Sequence, residues 1–177
     1  MRMTVTDFIS QYAPCEEARV FLSQYADMSE AWENCARPDW LFWALEKVAP
    51  LDARTNRVLA CRFVRETPLA DGRKVWDLLT DARSRKVVEV AEAHTRGEAT
   101  DAELKDARDA AWDAWDATGA AWVAARVAGA AWEAAREAAA RVAAGVVWEA
   151  AAWAAGDAAR LAQCRIIREV VANPFTE

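Results

Sequence analysis

Apolar residues recur at steps of three and four along almost the whole chain, and prolines and glycines cut the pattern into segments. Such a period lines the apolar side chains along one face of an α-helix. Thr6 is placed to cap a short helix over Asp7 to Tyr12, which Pro14 stops. A second helix runs from about Cys15 to Tyr25, with Ala18, Phe21, Leu22 and Tyr25 at helical spacing. Ser29 can cap a third, carrying Trp32 and Cys35. Pro38 suits the first turn of the next helix, DWLFWALEKVAP, which ends before Pro50. Trp40, Leu41, Trp43, Ala44, Leu45 and Val48 point nearly all round it, so it should be buried on more than one side. Another helix spans Leu51 to about Glu66 and carries Val58, Leu59, Cys61, Arg62 and Phe63.

Thr67, Pro68, Asp71 and Gly72 make a loop. Val75, Trp76, Leu78 and Leu79 then form a short helix, and Thr80 or Asp81 caps the next, which reaches about His94 and ends at Gly97. Val87-Val88-Glu89-Val90 has strand propensity. The Ala-Glu-rich continuation and the lack of partner strands favour helix. Thr100 and Glu103 have the spacing of a capping box and open the final stretch, Thr100 to about Ala172.

That stretch is dominated by alanine, the strongest helix former, with no proline before Pro174. Ala110-Ala111-Trp112, Ala120-Ala121-Trp122 and Ala130-Ala131-Trp132 repeat with a ten-residue step. Each such step turns the Trp by roughly 80° on a straight helix, so one face cannot bury Trp112, Trp122, Trp132 and Trp153 together. Unbroken, the stretch would span ~105 Å. Breaks are expected near Gly129, Gly145 or both. Asn173-Pro174 ends the last helix, and Phe175 should fold the tail back onto the body. The expected fold is an all-α multi-helix bundle in one domain: short helices over 1–97, then about three long Ala/Trp-rich helices over 98–177.

Composition adds a partner preference. The 177 residues carry a net charge of −6. This disfavours nucleic acid, which selects a basic face, and anionic membranes, and it attracts basic partners. No run of about 18 uncharged apolar residues is present to span a membrane. Cys15, Cys35, Cys61 and Cys164 form no CxxC pair, and the first residues lack the apolar run of a signal peptide. Free thiols acting as small core residues in the cytoplasm are therefore expected.

The chemistry on offer is sparse. No phosphate-loop, dinucleotide, zincin or nucleophile-elbow motif occurs, and no cofactor or metal is expected. His94, the only histidine, sits in a polar end turn and should be solvated or capping. The most specific feature is an acidic stripe, Asp106, Asp109, Asp113 and Asp116, spaced 3, 4, 3 on one helix face, with only Lys105 and Arg108 to offset it. Such a stripe can be a solvated face, a docking surface for a cationic partner or, least favourably, a carboxylate metal site. Arg37 and Asp39, among Trp32, Trp40 and Trp43, make a second polar spot with the residue types of a binding hot spot. The arginines of the later helices, Arg160, Arg165 and Arg168 included, should pair with neighbouring carboxylates.

Trp32-x-x-Cys35-x-Arg37-Pro38-Asp39-Trp40-Leu41-Phe42-Trp43, the Cys61-Arg62 helix, Asp81-Ala82-Arg83-Ser84, Val90-Ala91-Glu92 and the closing Arg165-Ile166-Ile167-Arg168-Glu169 with Asn173-Pro174-Phe175 stand out together. In these dispersed positions the chain resembles immunity proteins of bacterial polymorphic toxin systems, including forms found in phages. The resemblance implies a non-enzymatic protein that binds and neutralises a cognate toxin, here a basic one met by the acidic stripe. Two other readings stand beside it. A structural or self-associating protein would use the Ala-Ala-Trp repeat to form a homo-oligomer. A small-molecule-binding or catalytic helical protein would need a deep pocket lined by Trp and carboxylates.

Overall fold

Five of the eight described helices start on a side chain that accepts a hydrogen bond from the first turn. The computed structural model describes residues 3–69, 71–113 and 157–176. Its described residues form eight α-helices: α1 (Val5–Tyr12), α2 (Glu16–Leu22), α3 (Met28–Asn34), α4 (Pro38–Val48), α5 (Ala53–Glu66), α6 (Ala82–Arg96), α7 (Asp101–Asp113) and α8 (Asp157–Val170), with a 3-10 turn at Val75–Leu78. The chain is all-α as expected, and Val87 to Val90 lie within α6. The Ala-Ala-Trp repeat beyond Trp112, the breaks foreseen at Gly129 and Gly145, and Asp116 lie outside the described residues.

Several caps stand where the sequence places them. Asp81 accepts from the Arg83 amide, Gly97 closes α6 with φ 76°, and Pro38 is in the first turn of α4. The Thr100–Glu103 box is reciprocal: the Thr100 amide donates to the Glu103 carboxylate at 2.7 Å, and the Glu103 amide donates to the Thr100 hydroxyl at 3.2 Å. Two caps shift. Thr4, not Thr6, caps α1, and Asp27, not Ser29, caps α3. The reason is tertiary: Thr4 and Asp27 pair in an isolated antiparallel bridge, and the Met28 amide donates to the Met3 carbonyl. The two helix starts are held by each other.

The shared element is α5. Leu59 and Phe63 on one face join a core built from α1, α3, α4 and α8, with Leu22 of α2 and Phe175. Ala60, Cys61 and Val64 on another face join a second core with Val75, Leu79, α6 and α7. At roughly 100° per residue the two sets lie about 120° apart, so α5 is buried on two sides. Helix α8 packs against both α4 and α5 and so returns the C-terminal end to the first core.

An ion network joins α5 to α8. Arg62 pairs with Glu66 on its own helix and with Glu169 on α8, while Arg165 reaches both carboxylates. Arg62 holds the Glu66 carboxyl below the usual glutamate range, with Arg165 assisting. A depressed folded-state value adds stability above the unfolded pKa, about 4.3, and that contribution is lost as pH falls through the lower folded value. Urea midpoints measured between about pH 5 and pH 3 should therefore fall for the wild type. They should fall less steeply for Glu66→Gln, which has no carboxylate to protonate.

Candidate functional site

The α1–α2 connection is the least ordinary backbone in the described chain. Ala13 ends α1 in the left-handed region (φ 46°), and its amide donates to the Ile9 carbonyl. Glycine is the usual residue for that cap. Alanine there costs about 1 kcal/mol, and Pro14 follows immediately. This turn forms one lip of a cavity of about 330 Å³.

The cavity is built from four helices and the tail. Helix α2 presents Ala18, Phe21 and Leu22, while α3 presents Met28, Ala31 and Trp32. Helix α4 presents Asp39, Trp40, Leu41, Trp43 and Ala44; Phe8 and Phe175 close the far side. The rings brace one another. Phe8 meets Trp43 and Phe175 edge-on, each at 5.8 Å between centroids, and Phe21 leans on Trp40 at 5.5 Å. Edge-to-face contacts of this kind add about 0.5–1.5 kcal/mol each beyond area burial.

Asp39 lines the cavity and is engaged by Arg37. The guanidinium donates through Nε to Oδ1 at 2.9 Å and through Nη2 to Oδ2 at 2.7 Å, and it lies 4.6 Å from the Trp40 ring centre. Glu17 stands 4.0 Å away. The hydrogen bonds to Asp39 raise the Arg37 pKa further above its ordinary value. The pair thus forms a fixed, charge-compensated edge, 39% and 33% exposed at its two side chains.

Asp106 and Asp109 of the acidic stripe face outward. Leu104 and Ala111 of α7 are buried in the second core. At roughly 100° per residue, positions 106 and 109 lie about opposite them. Asp106 is exposed and Asp109 half-exposed. Lys105 and Arg108 both converge on Asp109, at 2.8 and 2.9 Å, and hold its carboxyl below the usual aspartate range. Asp106 has no hydrogen bond or ion pair among the described residues. Asp113 is the last described residue of α7, and Asp116 lies outside the described residues. The structure therefore brings Asp106 and Asp109 to one face, and places Arg37 and Asp39 on a different element.

His94, expected to be solvated or capping, is not freely solvated. Its side chain is only 18% exposed, and Nε2 lies 2.7 Å from Oδ1 of Asp101, which is 82% exposed. Gly97 turns the chain so that the start of α7 folds beside the end of α6, which brings the two together. An imidazole oriented by a carboxylate needs a further group to do covalent chemistry, and Nδ1 has no hydrogen-bond partner among the described residues.

Cys35, Cys61 and Cys164 are buried as expected, whereas Cys15 is exposed at the start of α2. Burial pushes the Cys61 and Cys164 thiols up to about 12. They are neutral at physiological pH, and the thiolate is the reactive form. Among the described residues no group of three or more His, Cys, Asp or Glu could hold a metal ion, and no helix is long and apolar enough to cross a membrane.

Compared with known proteins, the chain matches no family model, no curated protein and no solved structure. Its site is read from its own geometry. Part of the cavity wall coincides with the polar spot the sequence marks: Trp32, Asp39, Trp40 and Trp43 all line it. No spacing in the sequence marks the walls from α1, α2 and Phe175 as part of a site.

Proposed function

We propose that this chain is a non-catalytic binding protein of the immunity type, which engages and neutralises a basic protein toxin through the outer face of α7. The observation that carries this reading is the opposition of faces on that helix. Leu104 and Ala111 anchor it inward, and the carboxylates at 106 and 109 are thereby turned to solvent. Like charges at these spacings weaken an isolated helix by a few tenths of a kcal/mol per pair, and folding on the second core offsets that cost. The net charge of −6 extends the same field over the whole chain. Complementary charge speeds encounter and suppresses wrong partners. Lys105 and Arg108 neutralise part of Asp109, which leaves Asp106 as the main described contributor.

Tagged protein captured from its native host at low and high salt gives the first test. The expected partner is basic, stoichiometric and released by salt. Carrying Asp106→Lys and Asp109→Lys together should slow association with that partner about tenfold at low ionic strength and flatten its salt dependence. Unchanged binding by the reversed variant would overturn the role of α7. Recovery of copies of this chain alone would support the self-associating reading built on the Ala-Ala-Trp repeat.

A further inference from the structure

We infer that the cavity between α1, α2, α3, α4 and Phe175 is a binding site for a small, uncharged, ring-shaped apolar molecule of about two fused or linked rings. Size comes first. About 330 Å³ falls within the range of small-ligand sites. It is roughly twice the ~150 Å³ of an apolar cavity that takes up benzene.

Shape and chemistry come from the walls. Phe21, Trp32, Trp40, Trp43 and Phe175 supply ring faces and edges. A flat aromatic guest completes the tilted and edge-on contacts these rings already make with one another. Because the rings brace each other, the guest orders few side chains on entering. The mouth is held by the strained Ala13 turn, a backbone feature of the kind that clusters at ligand clamps.

Charge decides the class of ligand. Among the described residues, Asp39 is the one lining residue of Asp, Glu, Lys, Arg or His type. Both its oxygens are bound by Arg37, whose guanidinium lies against Trp40. A charged guest would therefore enter an apolar chamber whose single ion is already compensated, and would lose its hydration without gaining a counter-ion. A neutral guest meets no such cost. The site shares no residue with the carboxylates of α7, so this inference stands independently of the immunity reading.

The test uses N-phenyl-1-naphthylamine, a neutral two-ring-system fluorophore, with the full chain. Saturable 1:1 enhancement of its emission is expected, with quenching of tryptophan emission by transfer from Trp40 and Trp43. The anionic analogue 8-anilinonaphthalene-1-sulfonate should bind at least tenfold more weakly. Ala44→Met and Ala18→Leu each push side-chain atoms into the cavity from a different helix, and each should weaken the neutral probe at least tenfold while melting cooperatively. Two variants guard against one failing to fold. Equal binding of the probe by wild type and a folded filled variant would overturn the site, as would no binding by the wild type. Equal affinity for the two dyes would overturn its preference for uncharged guests. A concentration-dependent dimer that either filled variant dissociates would assign the cavity to a second copy of the chain and overturn the ligand reading.

Discussion

Replacing Arg168 with methionine should destabilise the protein by about 3 kcal/mol, measured as a shift in urea unfolding midpoint at constant slope. Arg168 sits on α8, yet its guanidinium closes the C-terminal end of α3. It donates through Nε to the Trp32 carbonyl at 3.1 Å, and through Nη2 to the Trp32 carbonyl and to the Cys35 carbonyl at 2.6 Å. Helix ends leave carbonyls without partners, and α3 ends in extended backbone at Cys35, without a left-handed glycine. A cation at that terminus also meets the negative end of the helix dipole. Methionine keeps the aliphatic stem but removes every donor, so partly buried carbonyls lose their partners. Hydrogen bonds to charged groups contribute about 1.5–3 kcal/mol each. Arg168→Lys should recover only part of the loss, because a single ammonium cannot reproduce the planar fork that spans two carbonyls. Equal stability of Arg168→Met and wild type would mean that solvent caps α3 equally well.

The same arginine shows where sequence reasoning stops. Arg160 and Arg165 pair with carboxylates on their own helix, at Asp157 and Glu169, as helical spacing allows. Arg168 has no carboxylate three or four residues away; it turns to the backbone of α3, with Glu33 3.9 Å off, because packing of α8 against α4 brings the end of α3 within reach. Spacing reports neighbours three and four residues away; it is silent on a partner 136 residues distant. The displaced caps at Thr4 and Asp27 follow the same rule, since each start is fixed by the other. Where a signal is local it is legible: the Thr100–Glu103 box, Asp81, Pro38 and Gly97 all sit where their chemistry requires. The outward face of α7 is legible for the same reason, being a matter of period alone. The buried polar residues Asn56, Thr67, Ser84 and Gln163 have no periodic signature. The cavity is legible only in its α3 and α4 wall, where Trp32, Asp39, Trp40 and Trp43 stand out in the sequence; its volume is what four helices and the 173–176 segment leave unfilled.

Phe175→Ala should cost about 3–4 kcal/mol in unfolding free energy. The segment after α8 is tied down by specific contacts. Asn173 donates through Nδ2 to the Ser29 hydroxyl at 3.0 Å and to the Glu33 carboxylate at 2.9 Å, and its Oδ1 accepts from the Phe175 amide at 3.0 Å. This turn aims the Phe175 ring into the first core, where it is 3% exposed and lies 5.8 Å from Phe8 and 6.2 Å from Trp32. Alanine would forfeit both ring contacts and leave a void that merges with the existing cavity. Phe175→Leu keeps most of the volume and should cost about 1 kcal/mol, within the range for apolar swaps. Thermal unfolding of both variants checks the magnitudes, and tryptophan emission checks the mechanism. With the tail detached, Trp32 becomes accessible and the emission of Phe175→Ala should shift to longer wavelength in the folded state, while that of Phe175→Leu should not. A loss below about 1 kcal/mol for the alanine variant would mean that the first core closes without the tail, and that α8 alone completes it.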